Sequence, residues 1–109
     1  MATITRGSRD AAVLKIKRLL DRYEKQHPGA QAALYRQNSG SVRIRIFDKR
    51  FAKLSSGDRH DYVWDFLARH LKHREMQEIS MLLLLVPSEK EDSFLNSEFE
   101  DPVPFTLLN

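Results

Sequence analysis

Ser41-Val42-Arg43-Ile44-Arg45-Ile46-Phe47 and Ile79-Ser80-Met81-Leu82-Leu83-Leu84-Leu85-Val86 bracket the stretch, 41 to 87, that decides the fold. In the first segment Val42, Ile44 and Ile46 alternate with Arg43 and Arg45, the period-two pattern of a strand with one face on a core. The second is apolar on both alternating faces, so it needs two covers, or one cover and a partner surface, and is expected at the centre of a sheet. Between them Ser55 or Ser56 caps a helix with Asp58 in its opening turn. Tyr62, Val63, Phe66, Leu67 and Leu71 supply that helix's buried face, with Trp64 one position to the side. His70-Leu71-Lys72-His73-Arg74 then place cations near its C-terminal end, where the helix dipole favours them. Arg74 to Glu78 form a short helix or a turn. The whole connection is long enough for a parallel crossover.

Outward from this stretch, residues 1–8 are expected to be flexible. Ser8 caps a first helix beginning near Arg9, whose apolar stripe is Ala12, Val13, Ile16, Leu19, Leu20 and Tyr23. Pro28-Gly29 ends it. Gln31 to Arg36 reads as a strand, and the turn-forming Gln37-Asn38-Ser39-Gly40-Ser41 folds it into an antiparallel hairpin with the next. After Pro87 the periodicity collapses, and Pro102 and Pro104 exclude regular helix around them. Residues 88–109 are therefore an acidic extension, partly docked through Phe94, Leu95, Phe99, Val103, Phe105, Leu107 and Leu108. The core domain is 9–87. Its order, α-β-β-α-(short α)-β, predicts an α+β, two-layer α/β sandwich with helices on one side of a three-stranded mixed sheet.

At 109 residues the chain makes one domain with a modest core. It contains no cysteine, which excludes disulfides, Cys-ligated zinc and a cluster held on its own thiolates. The opening residues lack the apolar core of a signal peptide, and the longest apolar run, Met81 to Val86, is far short of the roughly 20 residues a membrane span needs. A cytoplasmic protein without a membrane contact is expected. The net charge of +3 conceals an asymmetry: residues 1–74 carry a net +10 and residues 75–109 a net −7. A basic body attracts nucleic acid or an acidic protein through its summed field.

Phe51, Arg59 and His60 carry a likeness to a known family. A Phe shortly before the helix and an Arg-His pair at its start, followed by an apolar residue (Val63 here), resemble the BolA-like proteins, as does the element order, a variant of the type II KH arrangement. The resemblance spans about Ala11 to Pro87. It implies a regulatory or interaction protein, a glutaredoxin-like protein partner and, in the cluster-binding members, a shared [2Fe-2S] centre. This chain departs from that pattern where it matters for the cluster. Gln77 stands at the usual His position before the last strand, Lys53 replaces a Gly, and an amide is a poor iron ligand. No cofactor is expected, and cluster assembly with a monothiol glutaredoxin is the least favoured reading.

No nucleophile elbow, P-loop, dinucleotide fingerprint or His-Glu-x-x-His motif is present, so a non-catalytic protein is expected. His70 and His73 are the weak candidates for a metal, two imidazoles without a third ligand. His60, in the first turn of its helix, is expected to bond loop backbone or pack beneath Phe51. Arg43, Arg45, Lys49, Arg50 and Lys53 are the candidates for an acidic partner or for DNA or RNA, with Lys15, Lys17 and Arg18 as contributors. Without a Gly-x-x-Gly clamp or an aromatic pair displayed on a strand, sequence-specific recognition is not expected. The leading expectation is thus a non-catalytic protein that acts through a protein partner, with weak, salt-sensitive nucleic-acid binding as the alternative.

Overall fold

The computed structural model describes residues 1–103; the apolar anchors Phe105, Leu107 and Leu108 lie outside the described residues. Four strands form one mixed sheet: β1 (Thr3–Ile4), β2 (Gln31–Asn38), β3 (Ser41–Phe47) and β4 (Ile79–Leu85), in that spatial order. The helices are α1 (Ala11–Gln26), α2 (Ser56–Ala68), α3 (His73–Gln77) and α4 (Phe94–Glu100), with 3-10 turns at Lys49–Lys53 and Pro87–Glu89. β1 runs parallel to β2, β2 antiparallel to β3, and β3 parallel to β4. The chain is thus two βαβ units, β1-α1-β2 and β3-α2-α3-β4, joined back to back by the β2–β3 hairpin.

Two features correct the three-stranded, one-sided sandwich. The fourth strand comes from the first eight residues, where Thr3 and Ile4 pair with Ala33 and Leu34. A two-residue strand is too short to show alternation, so no period announces it. Gly7, at φ 77°, then turns the chain away, and a Cβ there would stand 2.6 Å from the Arg36 carbonyl oxygen. The second correction is a third layer: α4 lies on the face of the sheet opposite α1 and α2.

That layer also explains why β4 is an edge strand, not the central one its apolar pattern suggested. Ala32, Leu34, Val42, Ile44, Ile46 and Leu84 pack against Val13, Ile16, Leu20 and Tyr23 of α1 and Val63 and Leu67 of α2. On the opposite face Ala33, Tyr35, Phe47, Leu83 and Leu85 pack on Phe99 of α4. Both faces of β4 are covered by helices, so it needs no second strand beside it to bury its leucines.

The local stop and start signals have identifiable causes. Asp10, rather than Ser8, caps α1: its Oδ1 accepts from the Val13 N–H at 3.1 Å, while Ser8 donates its hydroxyl to Oδ2. Ser55 caps α2 through Asp58 N–H at 3.1 Å. Asp48 is buried, accepting from Tyr23 Oη at 3.1 Å and from the Arg50 backbone N–H and Nε at 3.0 Å each. Burial, together with the Asp48 carboxylate, holds the Tyr23 phenol protonated far above its ordinary range.

Several carboxylates are shifted the other way. The Arg36 guanidinium hydrogen-bonds Asp10 and holds it well below the usual carboxylate range. Arg59 and the Val86 N–H lower Glu89. The Lys72 N–H and the Lys15 ammonium lower Glu75. A carboxylate whose folded-state pKa lies below its unfolded value stabilises the fold above that unfolded value, about 4, and loses its contribution as pH falls through the folded value. The melting temperature is therefore expected to hold from neutrality to about pH 4.5 and to fall progressively below it. Asp10→Asn, which keeps the helix cap, should lower the neutral-pH plateau and flatten the acid limb. An acid limb of unchanged steepness in that variant would show that Asp10 is not one of the groups responsible.

Candidate functional site

The five basic candidates do not form one patch. Arg43 and Arg45 project from the outer face of β3, beneath α4. Arg43 Nη1 donates to Tyr35 Oη and to Glu98 Oε1, both at 3.2 Å. Arg45 Nη1 donates to Asn96 Oδ1 at 2.9 Å and Glu100 Oε1 at 3.0 Å. The Arg45 guanidinium also lies 4.7 Å from the ring centres of both Phe47 and Phe99. Their side chains are only 17% and 14% exposed, so this strand face is a packed charged layer rather than a solvated one. Arg50 is bound to Asp48 and reaches the Pro28 carbonyl at 3.3 Å. Lys49 and Lys53 are exposed on the 3-10 turn.

Phe51, Arg59 and His60 divide into two roles. Phe51 is buried and plugs the core beside the sheet. Arg59 passes over its ring and donates from Nε to the carbonyls of Phe51 (2.9 Å) and Leu54 (3.2 Å). Its Nη1 donates to the Leu84 carbonyl (3.1 Å) and to Glu89 Oε1 (2.9 Å). Arg59 thereby ties the 3-10 turn, α2, β4 and the Pro87 turn to one guanidinium. His60 neither bonds loop backbone nor lies under Phe51; it is exposed and stacks on Trp64 at 5.4 Å.

His70 and His73 do not share a helical face, because α2 ends at Ala68 and α3 begins at His73. His70 Nδ1 donates to the Phe66 carbonyl at 3.1 Å, and His73 Nε2 is 3.2 Å from Gln77 Nε2. Among the described residues no group of three or more His, Cys, Asp or Glu side chains is arranged to hold a metal.

The longer of the two edges of the sheet lies along β4. Asp48 N–H donates to the Leu85 carbonyl at 3.0 Å, which turns Leu85 toward β3. The alternation of a parallel ladder then turns Leu83 inward and Leu82 and Leu84 toward the outer edge. Arg59 takes the outward carbonyl of Leu84. Among the described residues no strand pairs with the remaining outward groups of Leu82 and Leu84. A groove of about 310 Å³ runs beside them, floored by Leu82 to Leu85 and walled by Ser56, Arg59 and His60 on one side and Glu89, Ser93 and Leu95 on the other. Leu95 and its neighbour Phe94 are exposed. The arrangement offers extended-backbone pairing with an apolar floor.

A second cluster carried no signal in the sequence. The His27 ring stacks on Tyr23 at 4.0 Å, its Nδ1 donates to the Tyr23 carbonyl at 2.9 Å, and Tyr62 Oη donates to its Nε2 at 2.6 Å. Tyr23 is recognisable as a member of the α1 stripe, but the partners of its hydroxyl come from a loop 25 residues on. The cluster closes the end of the α1–α2 layer, and each of its polar atoms named here is satisfied internally.

Comparison of the chain with protein-family models, with curated proteins and with solved structures finds no match in any of the three. This finding and the sheet itself overturn the BolA-like, KH-like reading: there are four strands rather than three, and α4 occupies a face that the expected order leaves without a helix. Phe51 and Arg59 hold their positions for reasons of packing and carbonyl capping in this fold. No helix among the described residues is long and apolar enough to cross a membrane.

Proposed function

We propose that the protein is a non-catalytic interaction module that binds an extended segment of a partner protein along β4. The observation that carries this reading is the seven-residue, uncharged β4 at the sheet edge. Natural edge strands are usually blunted by charge, proline or shortness. The opposite edge, β1, is only two residues long. β4 has no such device in its sequence, and among the described residues its one cap is Arg59 on Leu84. An added strand would gain main-chain hydrogen bonds at Leu82 and side-chain contact with the groove floor.

The partner this surface fits presents an uncharged, β-prone segment of about five residues, matched in length to the accessible edge. A stoichiometric partner retained from extract at physiological salt by the intact protein should be lost with Leu82→Pro, which removes the outward N–H and obstructs the edge. Lys49→Ala with Lys53→Ala should leave retention unchanged. Equal retention by Leu82→Pro, with the variant folded by circular dichroism, would place the contact elsewhere and sink the reading.

A further inference from the structure

We propose that the outer face of the sheet is a binding site for single-stranded nucleic acid that α4 holds shut. It lies on a different face of the sheet from the β4 edge, with α4 as the shared boundary, since Ser93 and Leu95 also wall the groove beside β4.

The face combines the two residue classes such a site needs. Tyr35 on β2 and Phe47 on β3 are aromatic, and Arg43 and Arg45 lie beside them on the same face of β3. Base stacking on aromatic rings supplies sequence-tolerant affinity, and guanidiniums bind the phosphates. The strand pattern conceals this set, because the two aromatics come from different strands and meet only through the hairpin register, with Tyr35 opposite Arg43.

α4 occupies the face as a nucleic acid would. The Phe99 ring lies 4.9 Å from Tyr35, tilted by 56°, and 4.7 Å from the Arg45 guanidinium, so an aromatic ring already fills the space between the two groups. The carboxylates of Glu98 and Glu100 sit on Arg43 and Arg45 where phosphate oxygens would sit. The fit is incomplete, for among the described residues Arg45 Nε is buried with no hydrogen-bond partner, a donor that α4 leaves unused. α4 is a seven-residue helix attached to the sheet through side chains and the Arg6 guanidinium on the Glu100 carbonyl, with no strand pairing. Its charge is opposite to that of the body: the acids of residues 75–109 offset the cations of residues 1–74. Because the face must open to bind, apparent affinity is reduced by the fraction of molecules in which α4 is displaced. A flat face with separate rings admits unstacked bases and not the closed stack of a duplex.

The test is fluorescence anisotropy on the full chain with labelled 12-nucleotide oligo-dT and oligo-rU and a 12-base-pair duplex. Glu98→Gln with Glu100→Gln, which keeps the shape of α4 and removes its charge, should tighten single-strand binding about tenfold over the intact protein. Two phosphate contacts predict a loss of about sevenfold in that affinity between 50 and 200 mM salt. Adding Arg43→Gln and Arg45→Gln should abolish the gain. Because those substitutions touch packed residues, hydrogen exchange on the unaltered protein supplies an independent reading: saturating oligonucleotide should speed exchange in α4 and slow it in β3. The proposal is overturned if the folded double variant, Glu98→Gln with Glu100→Gln, binds single strands no better than the unaltered protein. It is equally overturned if bound oligonucleotide protects α4, or if Lys49→Ala with Lys53→Ala removes the binding while α4 substitutions leave it unchanged.

Discussion

Arg59→Ala is expected to destabilise the protein by about 2–4 kcal/mol, far more than a surface arginine would. The side chain is 12% exposed and donates to three backbone carbonyls, those of Phe51 and Leu54 at the end of the 3-10 turn and that of Leu84 on β4, as well as to Glu89. Truncation removes the donor from the Leu54 and Leu84 carbonyls at once, while the Phe51 carbonyl keeps the Leu54 N–H at 3.0 Å. A buried group left unpaired costs about 1–3 kcal/mol, and the Leu84 carbonyl, at the sheet edge, recovers part of its share from water. Arg59→Lys should rescue less than half, because an ammonium cannot reach carbonyls in three directions as a planar fork does. Glu89→Gln should cost only about 0.5 kcal/mol, since that carboxylate is 42% exposed and its pairing is screened. Urea unfolding monitored by circular dichroism reads all three variants. A loss below about 1 kcal/mol for Arg59→Ala would show the carbonyls to be hydrated and Arg59 to be no clamp. Arg59→Ala also frees the Leu84 carbonyl, so the open edge lengthens and concentration-dependent self-association should appear.

The same residue shows how far the sequence could be read. Val42, Ile44 and Ile46 announce the inner face of β3, and Ala12 to Tyr23 announce the stripe of α1, because periodicity is a local property that survives in one dimension. The β2–β3 hairpin follows from Asn38-Ser39-Gly40 for the same reason, the Asn38 side chain accepting from the Gly40 N–H at 3.0 Å. What failed depended on partners distant in the chain. Arg43 and Arg45 look solvated because alternation says only that they face away from the core. That Glu98 and Glu100 meet them is set by a contact across 55 residues. β4 looks central because two apolar faces imply two covers, and periodicity cannot tell a covering helix from a neighbouring strand. Phe51 and Arg59 invited a family likeness through their spacing. In the fold that spacing serves a plug and a clamp, a demand that an unrelated chain meets equally well.

Phe99→Ala separates two views of the acidic extension, and it should act in an unusual way. Phe99 is 1% exposed and is the anchor that joins α4 to Tyr35, Phe47, Leu83 and Leu85. Truncating a buried Phe typically costs about 3–5 kcal/mol when the residue belongs to the common core. If α4 is instead a separable layer, the cost cannot exceed the free energy of its docking, because α4 detaches and the rest of the domain stays folded. The layered architecture favours the second outcome. The inner core of α1, α2 and the sheet is built from a different set of side chains, including Ile16, Leu34, Ile44 and Leu67. Phe99→Ala should therefore lower the urea m-value as well as the midpoint, since surface normally buried under α4 is already exposed before unfolding begins. Leu67→Ala, at 0% exposure in the inner core, should cost about 2–5 kcal/mol with m unchanged. An unchanged m-value for Phe99→Ala, with a loss near that of Leu67→Ala, would make α4 an integral part of one cooperative unit. A reduced m-value accompanied by rapid hydrogen exchange across α4 alone would show that the arginine face opens at a free energy well below that of global unfolding, which is what a displaceable cover over Arg43 and Arg45 requires.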